Sequence, residues 1–137
     1  MTRPYDILIL DDEPIVGERL GAFLEKDGRR VELFVDPGAA LDRLNAKTFD
    51  ILISDIRMKD IDGIQVMETV LGKSPRTRVI MITGYATLEL ARESLTKGAF
   101  DFIAKPFKLK EIRKTINKAI DSLEHDVPAP TLDAATA

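Results

Sequence analysis

Polar residues that could do chemistry lie at the ends of four of five short apolar runs. Asp11 and Asp12 follow the first run, and Asp55 follows the third. Thr83 closes the fourth run and Lys105 follows the fifth. Carboxylates can act as nucleophiles or bind a hard cation, and ammonium or hydroxyl groups can bind an anion. What these groups do together depends on whether the fold brings the ends of the runs to one place.

The apolar runs predict five strands. Several are rich in Ile or Val and end at a polar residue, which is typical of strands buried on both faces of a parallel sheet. The runs are Asp6–Leu10, Arg30–Phe34, Asp50–Ser54, Arg78–Thr83 and Asp101–Ala104. Each gap between them has room for one helix and two short loops, which parallel connections require.

The segments between the runs predict five helices. Pro14–Lys26 begins with a proline suited to a first turn, carries an apolar stripe that starts at Ile15, and precedes Gly28, which is placed to end the helix. Asp36 and Pro37 are typical of an N-cap and a first helical position. The remaining stripes are Ala40, Leu41 and Leu44 in the second helix, Ile64, Val66, Met67, Val70 and Leu71 in the third, Leu88, Leu90, Ala91 and Leu95 in the fourth, and Leu109, Ile112, Ile116, Ala119, Ile120 and Leu123 in the fifth. The sequence therefore predicts a doubly wound α/β domain with a five-stranded parallel sheet.

A flavodoxin-like strand order, 2-1-3-4-5, would place the polar strand ends together. Ligands bind such sheets where the strand order reverses, between strands one and three. Asp11, Asp12 and Asp55 would meet there, with Thr83 and Lys105 beside them. Three carboxylates at one site repel each other unless a cation intervenes, and oxygen ligands favour Mg²⁺. A metal ion, an ammonium and a hydroxyl around one carboxylate suit a phosphoryl group, which that carboxylate can accept as an aspartyl phosphate.

Composition narrows the class of protein. The chain has 137 residues, 45% of them hydrophobic, and a net charge of −3, which predicts one globular domain. It has no cysteine, which excludes disulfide scaffolds, thiolate zinc sites and cysteine nucleophiles. Apolar stretches are too short for a membrane span, and the mild acidity gives no general nucleic-acid signal. A cytoplasmic protein that binds neither membrane nor nucleic acid directly is expected.

Four segments together resemble a known family. LILDDEP, LISDIRMKDIDG, VIMITGYA and GAFDFIAKPF occur in this order. They resemble a bacterial two-component response-regulator receiver domain, and the resemblance covers about Tyr5 to Leu123. The segments that contain the third and fifth runs are most similar to receivers of the nitrogen-regulation type, which precede enhancer-binding ATPase domains.

The resemblance implies a role for each polar residue. Asp55 would be the phosphoacceptor, taking a phosphoryl group from a sensor histidine kinase. Asp11 and Asp12 would help to bind Mg²⁺, with Asp55 and the backbone carbonyl of Arg57 as further ligands. Thr83 would hydrogen-bond the phosphoryl oxygens. The remaining implied elements are Lys105, which would pair with the phosphoryl group, the Lys105-Pro106 cis peptide, and Phe102 as the rotating aromatic of the switch.

One departure from the family pattern stands in the loop after the third strand. Met58 is followed by Lys59, where the family usually has proline. This loop is expected to be more mobile without losing phosphorylation, because the implied contact at Arg57 is through the backbone. The side chains of Arg57 and Tyr85 occupy positions that vary in the family and are expected to tune the lifetime of the phosphoryl group.

Residues 1–124 are assigned to the receiver domain and residues 125–137 to a flexible tail or a truncated interdomain linker. The tail has two prolines, no Lys or Arg and no periodicity. The expected function is a regulatory switch, not a metabolic enzyme. The expected partners are a histidine kinase, a downstream output domain or protein that regulates transcription, and a second copy bound through the fourth and fifth helices.

Three alternatives remain open. The acidic residues could simply crowd loop ends and cap helices, as Asp12 or Glu13 could do for the first helix. The chain could be a phosphohydrolase of the aspartyl-phosphate kind, although that would need a cap domain or substrate pocket. It could also be an interaction module that has the fold but never takes a phosphoryl group.

Overall fold

The computed structural model describes residues 4–58, 62–84 and 87–125. Lys59, Tyr85 and the tail from residue 126 onward, on which predictions were made, lie outside the described residues. The strands are β1 (Asp6–Leu10), β2 (Arg30–Phe34), β3 (Ile51–Asp55), β4 (Arg78–Thr83) and β5 (Asp101–Ala104). The helices are α1 (Pro14–Lys26), α2 (Pro37–Ala46), α3 (Gly63–Lys73), α4 (Leu88–Thr96) and α5 (Leu109–Glu124).

The five strands form one parallel sheet in the order β2-β1-β3-β4-β5. The predicted fold class and strand order are confirmed. Successive residues of each central strand point to opposite faces of the sheet, because side chains alternate along a strand. In β1, Ile7 and Ile9 pack on the side of α1 and α5, whereas Leu8 and Leu10 pack on the side of α2, α3 and α4. Two hydrophobic layers therefore hold the sheet between helices.

Local signals for helix ends match the structure. The Asp36 carboxylate accepts a hydrogen bond of 2.9 Å from the Ala39 amide and caps α2. Asp62 caps α3 in the same way through the Ile64 amide at 2.7 Å. Gly28, after α1, adopts a φ of +85°, a conformation that suits glycine at a helix C-terminus. None of the described helices has the length and apolar character that a bilayer crossing requires.

Four sequence predictions about burial and strand bounds are wrong. The second strand was expected to be buried on both faces, but β2 is an edge strand, since it pairs only with β1 among the described strands, and most of it is partly or fully exposed. Ile15 and Leu109 were placed in buried stripes but are 54% and 42% exposed. Each lies in the first turn of its helix, on the N-terminal side of that helix's buried residues. The third strand begins at Ile51, one residue later than predicted, and includes Asp55, which pairs in register with Ile82 of β4.

Candidate active site at the carboxyl ends of the strands

Three carboxylates meet at the edge of the sheet where the strand order reverses. The parallel pairing of β1 and β3 places Leu10 opposite Ser54, so the residues that follow them, Asp11 and Asp55, come side by side. Asp12 lies next to them on the exposed side. Each of the three aspartates offers one oxygen, and these oxygens all lie within 4.8 Å of one another. The predicted convergence of Asp11, Asp12 and Asp55 is therefore observed.

Lys105 brings a positive charge to the same place. It follows β5, and its backbone amide donates a hydrogen bond of 2.6 Å to the Thr83 carbonyl at the end of β4. The Lys105 Nζ lies 3.2 Å from Asp11 Oδ2 and 3.4 Å from Asp55 Oδ2. The Lys105-Pro106 peptide is cis, as the resemblance implied. Among the described residues, Lys105 is the cation in ion-pair contact with these aspartates.

Burial dominates the electrostatics of the buried pair of carboxylates. Burial raises the pKa of Asp55, with Lys105 opposing the shift and Asp11 adding to it. Burial also raises the pKa of Asp11, against hydrogen bonding from the Glu13 amide and attraction by Lys105. Burial works against the charged form of Lys105, but Asp55 and Asp11 outweigh it and raise the pKa of its ammonium group. The site therefore has more negative charge than one ammonium group neutralises, and a further cation would be favourable.

The donor set fits a hard divalent cation. All three side chains supply carboxylate oxygens, the ligands that Mg²⁺ prefers. Asp11 Oδ2 is buried and accepts no well-aligned hydrogen bond from any described residue, although Lys105 is within ion-pair distance. Asp12 is exposed, so the cluster is open to solvent on that side. An acidic cluster suited to Mg²⁺ is thus present.

The buried excess of negative charge predicts a stability difference. We expect Asp55→Asn to raise the free energy of unfolding at neutral pH in metal-free buffer, because it removes a carboxylate whose pKa is raised in the folded state. A carboxyl group with a raised pKa stabilises the folded state relative to the unfolded state only while it is protonated. The wild type therefore loses this stabilisation as the pH rises through the folded-state pKa of Asp55. The advantage of Asp55→Asn should therefore shrink as the pH falls toward 3.8, the ordinary value for Asp. Urea unfolding of both proteins in the presence of a chelator, from acid to neutral pH, measures this difference in the free energy of unfolding. A stability of Asp55→Asn equal to or lower than that of the wild type at neutral pH would contradict the expectation.

The Thr83 hydroxyl does not join the cluster in this structure. Thr83 is fully buried at the end of β4. Its Oγ1 donates to the Gly84 carbonyl at 3.0 Å and shares a short hydrogen bond with Thr87 Oγ1. Phe102 of β5, beside Met81 in the register, is half-buried against the hydrophobic layer on the α2, α3 and α4 side. The roles of Thr83 and Phe102 in a switch stay predictions.

Arg57 contacts the site through its backbone. Its amide donates a hydrogen bond of 3.3 Å to Asp55 Oδ1, and its side chain is exposed. This position after β3 is compatible with a backbone role, and the use of its carbonyl as a metal ligand stays a prediction. The effect of Lys59 on the mobility of this loop also stays a prediction. The same holds for the effect of the Arg57 and Tyr85 side chains on the lifetime of the phosphoryl group.

Two residues of the site were missed by the sequence analysis. Glu13 was considered only as a helix charge, but its Oε1 lies 3.1 Å from Lys105 Nζ and its amide donates to Asp11 Oδ1 at 2.9 Å. Gly63 received no role, but its amide donates to the Ile56 carbonyl at 2.6 Å, and a Cβ there would lie 2.2 Å from the Asp55 carbonyl oxygen. The signals that could have found them are the third acidic residue of DDE and the glycine that ends DIDG.

The chain matches the response regulator receiver domain family over residues 7–117. It belongs to that family. The receiver domain is 32% identical over 129 residues to the transcriptional regulatory protein ZraR of Escherichia coli K12, covering 92% of this chain and 29% of ZraR. It is 30% identical over 121 residues to the nitrogen assimilation regulatory protein NtrX of Azorhizobium caulinodans, covering 87% of this chain and 27% of NtrX.

A solved receiver structure agrees with the fold described above. The CheY-like response regulator receiver domain protein of Methanospirillum hungatei JF-1 matches with a TM-score of 0.85 and 30% identity, covering 90% of this chain and 99% of that protein. The chain spans less than a third of ZraR and NtrX. The predicted likeness to nitrogen-type regulators is confirmed, and the domain is a receiver of the two-component response-regulator family.

Proposed function

We propose that this receiver domain accepts a phosphoryl group on Asp55 from a sensor histidine kinase in a reaction that requires Mg²⁺. The observation that carries the proposal is the cluster itself: a buried carboxylate at a strand end, with two further carboxylates and one ammonium group within reach. This set supplies a nucleophile, an all-oxygen cation site and a fixed positive charge.

The chemistry proposed for Asp55 is a phosphoryl exchange between nitrogen and oxygen. A carboxylate oxygen of Asp55 attacks the phosphorus of a phosphohistidine on the kinase, and a phosphorus–oxygen bond forms as the phosphorus–nitrogen bond breaks. The electron pair of the broken bond stays on the departing imidazole nitrogen. Asp11, Asp12, Asp55 and the Arg57 carbonyl would hold Mg²⁺, which neutralises charge on the phosphoryl oxygens when bound.

Lys105 and Thr83 have the functional groups to bind the product. The Lys105 Nζ is already 3.4 Å from Asp55 Oδ2, so a short shift would bring it to a phosphoryl oxygen. Thr83 would turn its hydroxyl from Gly84 and Thr87 toward the same group. Because Thr83 and Phe102 lie in neighbouring strands next to α4, this rearrangement would change the surface formed by α4, β5 and α5. The domain would then shift between two populated arrangements.

The proposed partners and location extend from this switch. ZraR is a transcriptional regulatory protein and NtrX is a nitrogen assimilation regulatory protein, which supports an output domain or protein that regulates transcription. Residues 125–137 would connect to it as a linker or form a flexible tail. A homodimer through α4 and α5 and a cytoplasmic location complete the proposal, without direct binding of nucleic acid or membrane by this domain. Its role is regulatory, and it assists its own phosphorylation and dephosphorylation.

The test is intact mass after incubation with acetyl phosphate and Mg²⁺. We expect one added phosphoryl group, which is lost over time after the donor is removed and is not formed when a chelator removes Mg²⁺. No added mass at the shortest times would contradict the proposal and favour an interaction module. Sustained turnover of small phosphoesters by the same sample would favour the phosphohydrolase alternative.

A further inference from the structure

Thr87 is tied directly to the switch hydroxyl. It is the residue before α4, and it is only 7% exposed. Its Oγ1 shares the short hydrogen bond with Thr83 Oγ1 and accepts a bond of 3.1 Å from the Gly84 amide. It also lies 3.2 Å from the Gly84 carbonyl oxygen, in donor geometry. The hydroxyls of Thr83 and Thr87 and the backbone of Gly84 thus form one small buried network.

The network uses the single proton that Thr83 can donate. A threonine hydroxyl has one donor hydrogen and two acceptor lone pairs. Both hydrogen bonds described for the Thr83 hydroxyl, to the Gly84 carbonyl and to Thr87 Oγ1, lie within this network. A phosphoryl oxygen on Asp55 would need the same proton. The Gly84 carbonyl and Thr87 Oγ1 are therefore the two groups of the network that can accept this proton.

We propose that Thr87 is a positioning residue that competes with the phosphoryl group for the Thr83 hydroxyl and so sets how strongly the site binds that group. The inference rests on the proposed function. Removing the Thr87 hydroxyl removes one of the two groups that compete for the Thr83 proton, so the arrangement with Thr83 turned toward Asp55 gains population. A buried hydrogen bond between neutral groups contributes a modest net free energy. We therefore expect the variant without the hydroxyl to bind a phosphoryl analogue roughly two- to tenfold more tightly than the wild type.

The experiment measures the affinity for beryllofluoride, a non-covalent analogue of the phosphoryl group, in the presence of Mg²⁺. Thr87→Val keeps the shape of the side chain without the hydroxyl, and Thr87→Ser keeps the hydroxyl. We expect tighter binding by Thr87→Val and affinity near the wild type for Thr87→Ser. The matched control is Thr96→Val on α4. The exposed Thr96 hydroxyl donates to the Glu93 carbonyl at 2.7 Å and takes no part in the network of Thr83, Gly84 and Thr87. The affinity of this control variant for beryllofluoride should equal that of the wild type.

A double-mutant cycle separates competition from a general structural effect. In a Thr83→Val background, no hydroxyl remains for Thr87 to compete for, so adding Thr87→Val should leave the affinity unchanged. Equal or weaker binding by Thr87→Val, or the same gain in the Thr83→Val background, would overturn the inference while the proposed function stands. A wild-type protein that binds no beryllofluoride with Mg²⁺ would overturn the inference together with the proposed function.

Discussion

Replacing Lys105 with Gln is expected to slow phosphoryl uptake from acetyl phosphate by about 100-fold or more. Removing one preorganised group that stabilises charge in a transition state typically has an effect of this size. Lys105 is the cation that the structure places between Asp11 and Asp55, with Nζ at 3.2 Å and 3.4 Å from their oxygens. Gln has no charge and is shorter, so it can neither offset the carboxylates nor reach an incoming phosphoryl group as an ammonium does.

The initial rate of mass gain measures this effect, with Mg²⁺ at saturation so that weaker metal binding does not contribute. Lys114→Gln is the matched control, because Lys114 is exposed on α5 and leaves the cluster intact. Uptake by Lys105→Gln within a fewfold of the Lys114→Gln rate would show that Lys105 takes no part in the transfer.

Replacing Gly63 with Ala is expected to lower both the free energy of unfolding and the affinity for Mg²⁺. Gly63 is the first residue of α3 and packs against the end of β3. An added Cβ would lie 2.2 Å from the Asp55 carbonyl oxygen and 2.9 Å from Ile56 Cα, so the backbone that carries the acceptor must shift. Overpacking of this kind costs about 1–3 kcal/mol, and a shift of Asp55 would also disturb the three-carboxylate cluster.

Gly72→Ala provides the control on the same helix. A Cβ at Gly72 would meet no atom within 4 Å, so alanine there should stabilise the helix by up to about 1 kcal/mol. Urea unfolding and a Mg²⁺ titration of both variants compare the two positions directly. If Gly63→Ala matched Gly72→Ala in stability and bound Mg²⁺ like the wild type, the close approach of Gly63 to Asp55 would matter for neither stability nor metal binding.

The sequence predicted most of the fold because its local signals agree with one another. Buried runs such as Arg78–Thr83 and helix-end residues such as Asp36 and Gly28 depend on neighbours in the chain, which the sequence shows. The exposure of β2 could not be predicted in the same way, because an edge position depends on which strands pair. Helical spacing likewise identifies the stripe that contains Ile15 but not which residues of the stripe other elements cover.

The candidate site likewise has features that the sequence predicts and features that it does not. The convergence of Asp11, Asp55 and Lys105 follows from the strand order alone, since each stands at the carboxyl end of a strand. The partner of the Thr83 hydroxyl depends on a side-chain rotamer and on Thr87, four residues further on, which no spacing rule predicts. The contact of Glu13 with Lys105 likewise joins a helix N-terminus to a distant loop, so it is visible only in three dimensions.

The central claim is that Asp55 is the residue that carries the phosphoryl group. Borohydride reduction tests it most directly, because it converts an aspartyl phosphate into homoserine at the modified position. The protein is incubated with acetyl phosphate and Mg²⁺, reduced, digested and analysed by peptide mass. We predict homoserine at Asp55 alone, and none in an Asp55→Asn sample treated identically. Homoserine at Asp11 or Asp12, or phosphoryl addition that survives in Asp55→Asn, would contradict the account.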